Sequence, residues 1–402
     1  MTDSIGVAVI GAGMAGRAHA AAYRAASTVF ASTLPPIRLV SVGDVSEEFG
    51  RLAAERFGYE RNDTSWQAIA ADPGIHVVSV VVANSLHREI VEGLVAAGKH
   101  VLCEKPLSDS LEDAEAMAEL ARGAATVVRV GHTYLRAPGI AFIRSLIDDG
   151  TLGAPRHFSG AYMTDYASNP RAAMSWRFRG TPGTGALADV GSHLAYISEF
   201  LCGAIESVSG GRFVTAIAER PLPLGAVIGH GSTAVSDETE AVTNDDFATF
   251  NASFASGAAG NLSVSRIAHG HANSLSFEVF CERGSARWDQ NRPSEIRLFL
   301  TDDRASTNGY RTVTLGPAHP YLAGGLAMDA PAVGFGQNDL FVYQARAFLE
   351  EVAGIPEEES LPRVASFDDG VHNMTVIRAV AESAAADGAA IAVPTALAVA
   401  AD

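Results

Sequence analysis

Through its first third the chain alternates short apolar runs with stretches whose apolar residues recur every three or four positions. The runs at 6–10, 37–42, 77–82, 101–103 and 127–130 are apolar on both faces, as strands of a parallel sheet covered by helices must be. Between them, 15–25, 47–57, 86–97 and 111–122 carry the helical period, with Ser85 and Ser110 placed as N-caps. Past Gly131 the pattern changes. It predicts a helix over 140–147, a strand over 156–163 and a longer helix over 186–201. Strands then follow at 247–254, 258–264 (across the turn Ser256-Gly257), 275–281, 286–288 and 296–300, and a helix closes the chain at 367–386. Residues 221–244 and the Gly- and Pro-rich 316–336 show no period and read as long excursions.

The expected fold class is therefore α/β plus α+β: an N-terminal doubly wound parallel sheet over 1–130, then a substrate-binding and oligomerisation domain over 131–402. The second domain carries a large, mostly antiparallel open sheet with helices on one face, and the terminal helix 366–386 packs back near the first domain. A length of 402 residues agrees with two domains.

Composition narrows the partners. With 48% hydrophobic and 19% charged residues the chain is globular, and no apolar run is long enough to span a bilayer. A net charge of -17 repels nucleic acid and anionic membranes, leaving a small neutral ligand as the expected partner. Cys103, Cys202 and Cys281 are far apart without a Cys-x-x-Cys pair, so neither a metal site nor a disulfide framework is expected. The N-terminus lacks an export signal, so a cytoplasmic location is expected.

Gly11-Ala12-Gly13-Met14-Ala15-Gly16 stands between the first strand and the first helix, the context a dinucleotide fingerprint requires. Gly11 permits the turn, Gly13 the approach of a pyrophosphate, and Gly16 close packing of helix on strand, while the helix N-terminus offers N–H groups to the anion. Asp44 ends the second strand, placed to accept both ribose hydroxyls. Glu47 and Glu48 beside it disfavour a 2'-phosphate, so NAD is expected over NADP.

Three more motifs join this one: Asn84-Ser85-Leu86-His87, Glu104-Lys105-Pro106, and Asp189-Val190-Gly191-Ser192-His193 preceded by Ser175-Trp176-Arg177-Phe178. Together they make the chain resemble the Gfo/Idh/MocA oxidoreductases, NAD(P)-dependent enzymes acting mostly on sugars and cyclitols, over essentially its whole length. The loop Gly316-Pro317-Ala318-His319-Pro320-Tyr321 and the long segment before the second strand are most similar to the levoglucosan-oxidising branch and related sugar 3-dehydrogenases.

Oxidising a secondary alcohol needs a base for the hydroxyl proton and a cation for the developing alkoxide. The resemblance implies His193 as the base, Asp189 (four residues earlier on one helix) as its partner, and Lys105 as the group polarising the reacting oxygen. It also implies that Asn84, His87, Glu104, Lys105, Trp176 and Arg177 line the nicotinamide. His19 is expected to pack near the sheet, and His132, Tyr134, His319 and Tyr321 join Lys105, Trp176, Asp189 and His193 as substrate contacts. The expected reaction is NAD-dependent oxidation of a ring hydroxyl of a pyranose, anhydrosugar or inositol, by a homodimer or homotetramer formed through the second sheet. Two alternatives share the fold: an NAD-retaining glycosidase or lyase, and a non-catalytic sugar or nucleotide sensor.

Overall fold

The computed structural model describes residues 4–31, 34–225, 233–301 and 305–394. Parallel strands form mainly where Val and Ile follow one another: β1 (Ile5–Ile10), β2 (Ile37–Gly43), β3 (Arg61–Asp63), β4 (Val77–Val80), β5 (His100–Cys103) and β6 (Val128–Val130). Their order is β3-β2-β1-β4-β5-β6. β1 and β4 are buried at every position, as central strands covered on both faces must be. Five helices connect the strands: α1 (Met14–Ala26), α2 (Glu47–Phe57), α3 (Trp66–Ala71), α4 (His87–Ala96) and α5 (Leu111–Gly123). The strand order reverses at β1 and β4, so the crevice at their carboxyl ends is where a ligand binds in such sheets.

Ser110 caps α5, its hydroxyl accepting the Asp113 N–H at 3.0 Å. Ser85 does not cap α4: it sits inside a 3₁₀ turn, Asn84–Leu86, and the helix begins without a side-chain cap. β3 and α3 were not expected, because three and six residues are too short to display a period.

The chain divides into two compact units, Met1–Pro138 with Gly316–Val371, and Gly139–Leu315 with His372–Asp402. Beyond the break at Pro138, the chain thus returns to the first unit with Gly316–Val371. The helix Gln337–Val352 explains the return: its Ala345, Ala347, Phe348 and Leu349 share one apolar core with Val7 and Val9 of β1 and Tyr23 of α1. Only the first turn of the terminal helix Phe367–Ala385 falls in the first unit.

In the second unit nine strands form one sheet. They are β7 (Pro155–Met163), β8 (Ile205–Val214), β11 (Phe247–Phe254), β12 (Ala259–Ser265), β13 (Ser274–Cys281), β14 (Gly284–Asp289), β15 (Glu295–Leu300), β16 (Arg311–Thr314) and β17 (Ile391–Ala392). The order is β16-β15-β14-β13-β7-β12-β11-β8-β17, antiparallel except where β7 meets β12. Burial alternates along β11, the mark of a sheet with one covered face. The expected excursion at 221–244 is corrected: β9 (Glu219–Pro223) and β10 (Val235–Ala241) pair as an antiparallel ribbon, with 226–232 outside the described residues. The stretch 316–336 is without helix or strand, as its Gly and Pro content predicts.

The expected continuous α-helix over 186–201 is also corrected. Leu187–Gly191 is a π-turn, and the α-helix proper runs Ser192–Cys202. The Ser192 N–H reaches back five residues to the Leu187 carbonyl. The Ser192 hydroxyl then takes the Ala188 carbonyl that the N–H has left, at 2.8 Å.

Candidate active-site residues

In the first unit every motif lies at the carboxyl edge of the sheet. Gly11 has φ +106°, and a Cβ there would lie 2.1 Å from the Val81 carbonyl oxygen, so only glycine fits the turn. At Gly16 a Cβ would lie 1.7 Å from the Gly11 oxygen. Nothing stands within 4 Å of where a Gly13 Cβ would be. The fingerprint therefore leaves open space over its middle glycine, in front of the α1 N-terminus, which has no side-chain cap. Exposed Met14 and half-buried Ala15 follow in the first turn. This opening suits a pyrophosphate.

Asp44 braces that loop. One carboxylate oxygen accepts the Ala12 N–H at 2.8 Å and the other the Ser46 N–H at 2.9 Å. Each oxygen keeps a further lone pair for a ribose hydroxyl.

Glu104 follows β5 and joins a chain that sequence reasoning missed. The Tyr23 hydroxyl meets Ser79 Oγ at 2.8 Å, Ser79 meets His19 Nδ1 at 3.0 Å, and His19 Nε2 meets Glu104 Oε1 at 2.9 Å. The other Glu104 oxygen accepts the Lys105 backbone N–H at 3.1 Å. Burial alone would raise the Glu104 carboxyl; the His19 bond and the nearby Lys105 outweigh it and hold the group below its usual range. A carboxylate thus stands beside Lys105. The Lys105-Pro106 peptide is cis.

Not every expected contact is placed to meet a ligand. His87 is fully buried, its ring nitrogens 3.1 Å from the Leu107 carbonyl and 3.3 Å from that of Val82. A neutral imidazole has one N–H, so it donates to one of these two carbonyls at a time and ties the turn to its surroundings; Asn84 in the same turn is half-buried. Tyr321 stacks on Tyr343 at 5.5 Å, and its hydroxyl accepts from Arg136 at 3.3 Å. His319 Nδ1 turns back onto the Gly316 N–H at 3.0 Å. His319 is thus tied to its own loop, and Tyr321 to Tyr343 and Arg136 outside it. Tyr134 is 2% exposed, which makes it core. His132 is also buried, and burial pushes it down to about 4, against the pull of Asp369 and Glu104.

In the second unit Asp189 and His193 each have a tyrosine. Tyr166 donates to Asp189 Oδ2 at 2.8 Å; burial, then the carboxylate itself, raises the phenol far enough that it stays a donor. His193 Nδ1 meets the Tyr196 hydroxyl at 2.7 Å, and the ring also lies against Tyr162. Trp176 is 57% exposed, so it is no core residue, and Arg177 lies over its indole at 4.4 Å. That pair offers a flat apolar face with a cation behind it.

Three consecutive buried residues hold these groups. Asn244 donates to the Arg177 and Arg179 carbonyls at 3.0 and 3.3 Å. Asp245 accepts the N–H groups of Gly183, Gly185 and Leu187 at 2.8, 3.0 and 2.8 Å, fixing the start of the π-turn. Asp246 pairs with buried Arg266 at 2.8 Å, and Arg266 in turn holds the Arg177 carbonyl. Nothing local in the sequence marks this triplet.

Comparison with known proteins agrees with the motifs. A family model described as an oxidoreductase family with NAD-binding Rossmann fold matches residues 5–132, and one described as the GFO/IDH/MocA C-terminal domain matches 140–287. The chain is 34% identical to levoglucosan dehydrogenase of Pseudarthrobacter phenanthrenivorans, over 95% of this chain and 97% of that protein. It is 28% identical to scyllo-inositol 2-dehydrogenase (NAD(+)) of Bacillus subtilis, over 71% of this chain and 74% of the other. A solved levoglucosan dehydrogenase in complex with NADH and levoglucosan superimposes with a TM-score of 0.87 at 32% identity, covering 97% of this chain and all of that one.

Proposed function

The chain belongs to the Gfo/Idh/MocA family of NAD-binding oxidoreductases acting on CH–OH groups, and from that premise we propose that it oxidises a secondary ring hydroxyl of an anhydrosugar or pyranose to a ketone. The observation that carries the substrate class is the extent of the likeness to levoglucosan dehydrogenase: it runs the length of both chains and so takes in the second unit as well as the cofactor unit.

NAD, when bound, supplies the hydride acceptor. The open space over Gly13 and the α1 N-terminus hold its pyrophosphate, and Asp44 its adenosine ribose. Exposed Glu47 and Glu48 repel a 2'-phosphate, favouring NAD over NADP. Lys105, kept next to the Glu104 carboxylate, binds the reacting hydroxyl oxygen and stabilises negative charge as the proton leaves. His193 receives that proton, Asp189 binds a neighbouring hydroxyl, and the exposed Trp176 face supports the C–H surface of the ring.

The test is a spectrophotometric screen for reduced cofactor, with NAD and NADP against levoglucosan, monosaccharides and inositols. Turnover on an anhydrosugar or pyranose with a lower KM for NAD is expected. His193→Ala should lower kcat by about 10²- to 10⁴-fold with NADH binding kept, and Lys105→Ala should lower kcat and raise the sugar KM together. A panel without reduced cofactor, or His193→Ala at wild-type turnover, would overturn the reading.

A further inference from the structure

Tyr196 follows His193 by three residues on the helix Ser192–Cys202, so the two side chains share one face. The phenol is 4% exposed, and its oxygen lies 2.7 Å from His193 Nδ1, with the rings edge-on at 75° and 5.5 Å between centroids. Tyr162 borders the imidazole on another side; its own hydroxyl is committed to Asn273 at 2.8 Å. The Asp189 carboxylate is engaged by Tyr166, on the other side of the change from π-turn to α-helix.

A neutral imidazole carries one ring hydrogen, and the partner of one nitrogen decides what the other can do. If Nδ1 donates to the Tyr196 oxygen, Nε2 keeps its lone pair and is a base. If the phenol donates to Nδ1 instead, the ring hydrogen sits on Nε2 and the imidazole cannot take a proton there. Alcohol oxidation needs the first arrangement.

We propose that Tyr196 is a positioning residue which, by accepting the Nδ1 hydrogen, holds His193 in the tautomer and ring orientation that present Nε2 as the base. This rests on the reading of His193 as the base. In the forward step the substrate O–H bond breaks and its proton joins Nε2. The resulting imidazolium keeps its Nδ1–H on the phenol oxygen, and loss of the Nε2 proton to water restores the starting tautomer.

Two measurements on the full chain test this. In protein labelled with ¹⁵N-histidine, the resonances absent from His193→Ala identify His193; at a pH where the ring is neutral its hydrogen should lie on Nδ1, and Tyr196→Phe should move it wholly or partly to Nε2. In steady state Tyr196→Phe, which keeps the ring and its packing, should lower kcat by about tenfold to a hundredfold, less than loss of the base itself, with KM and NADH affinity within about twofold of wild type. A wild-type hydrogen on Nε2 overturns the proposal even if the variant fails to fold. So does wild-type turnover in Tyr196→Phe while His193→Ala is inactive. Should His193→Ala itself retain turnover, the base assignment fails and the proposal falls with it.

Discussion

Glu104 is 13% exposed and His19 2%, so neither has enough water around it to support charge unaided. The carboxylate survives because His19 and the Lys105 N–H give it donors, which is the ordinary condition for a buried anion. His132, in the same unit, is the opposite case: a buried base with its pKa near 4 against an ordinary 6.5. The unfolded chain therefore binds a proton at this residue in a window where the folded chain does not. Stability from His132 is complete above about pH 6.5 and is lost as the pH falls toward 4, by at most about 3 kcal/mol. His87, which burial also lowers, adds to the same trend. Chemical denaturation at pH 7.5 and pH 4.5 should show the loss, and His132→Gln should flatten part of it; an unchanged slope in that variant would refute the assignment. At this scale the sequence was legible where function is local. Gly11 and Gly16 make the turn and the close packing that their spacing predicts, because a turn is made by its own residues. The His19 contacts lie 60 and 85 positions away, at Ser79 and Glu104, and no pattern near His19 reveals them.

The helix bearing Asp189 and His193 shows what periodicity misses in an element. Apolar residues at spacings of three and four mark a helix over 186–201, and a helical segment is there; the π-turn within it is not encoded by hydrophobicity. It arises from a hydroxyl that replaces a backbone donor at Ala188 and from Asp245, which anchors the preceding loop. Gly185 belongs to the same device, since a Cβ there would lie 2.1 Å from the Asp245 carbonyl oxygen. Asp245→Ala would leave the buried N–H groups of Gly183, Gly185 and Leu187 without their acceptor, at about 1–3 kcal/mol for each group that finds no substitute. We expect a lower melting temperature and a loss of kcat larger than the change in NADH affinity, because the glycine fingerprint and Asp44 belong to the other unit. Equal losses in NADH affinity and kcat would show that the anchor serves the fold as a whole.

For the whole molecule, the alternating first third and the strand-rich remainder made a two-part chain legible, but not the return of 316–371 to the first unit. An amphipathic helix at 337–352 has the same period whichever core receives its apolar face, so only the tertiary structure reveals that Phe348 and Leu349 complete the core beneath α1. Arg136 adds to this, donating to the Pro362 and Arg363 carbonyls at 2.7 and 2.8 Å. Removing 316–371 therefore does more than shorten a loop. It uncovers apolar side chains each worth about 1.5–3 kcal/mol when buried, and it strips a buried guanidinium of its acceptors, against a total stability of about 5–15 kcal/mol for a domain. A fragment of residues 1–138 should accordingly lack a cooperative thermal transition and bind NADH poorly. Joining 1–138 to 316–371 through a short flexible linker should restore both, as followed by circular dichroism and NADH fluorescence. If 1–138 alone melts cooperatively and binds NADH like the whole chain, the returning segment is an accessory to the cofactor unit; if only the joined fragment does, the cofactor unit is assembled from two distant stretches of sequence.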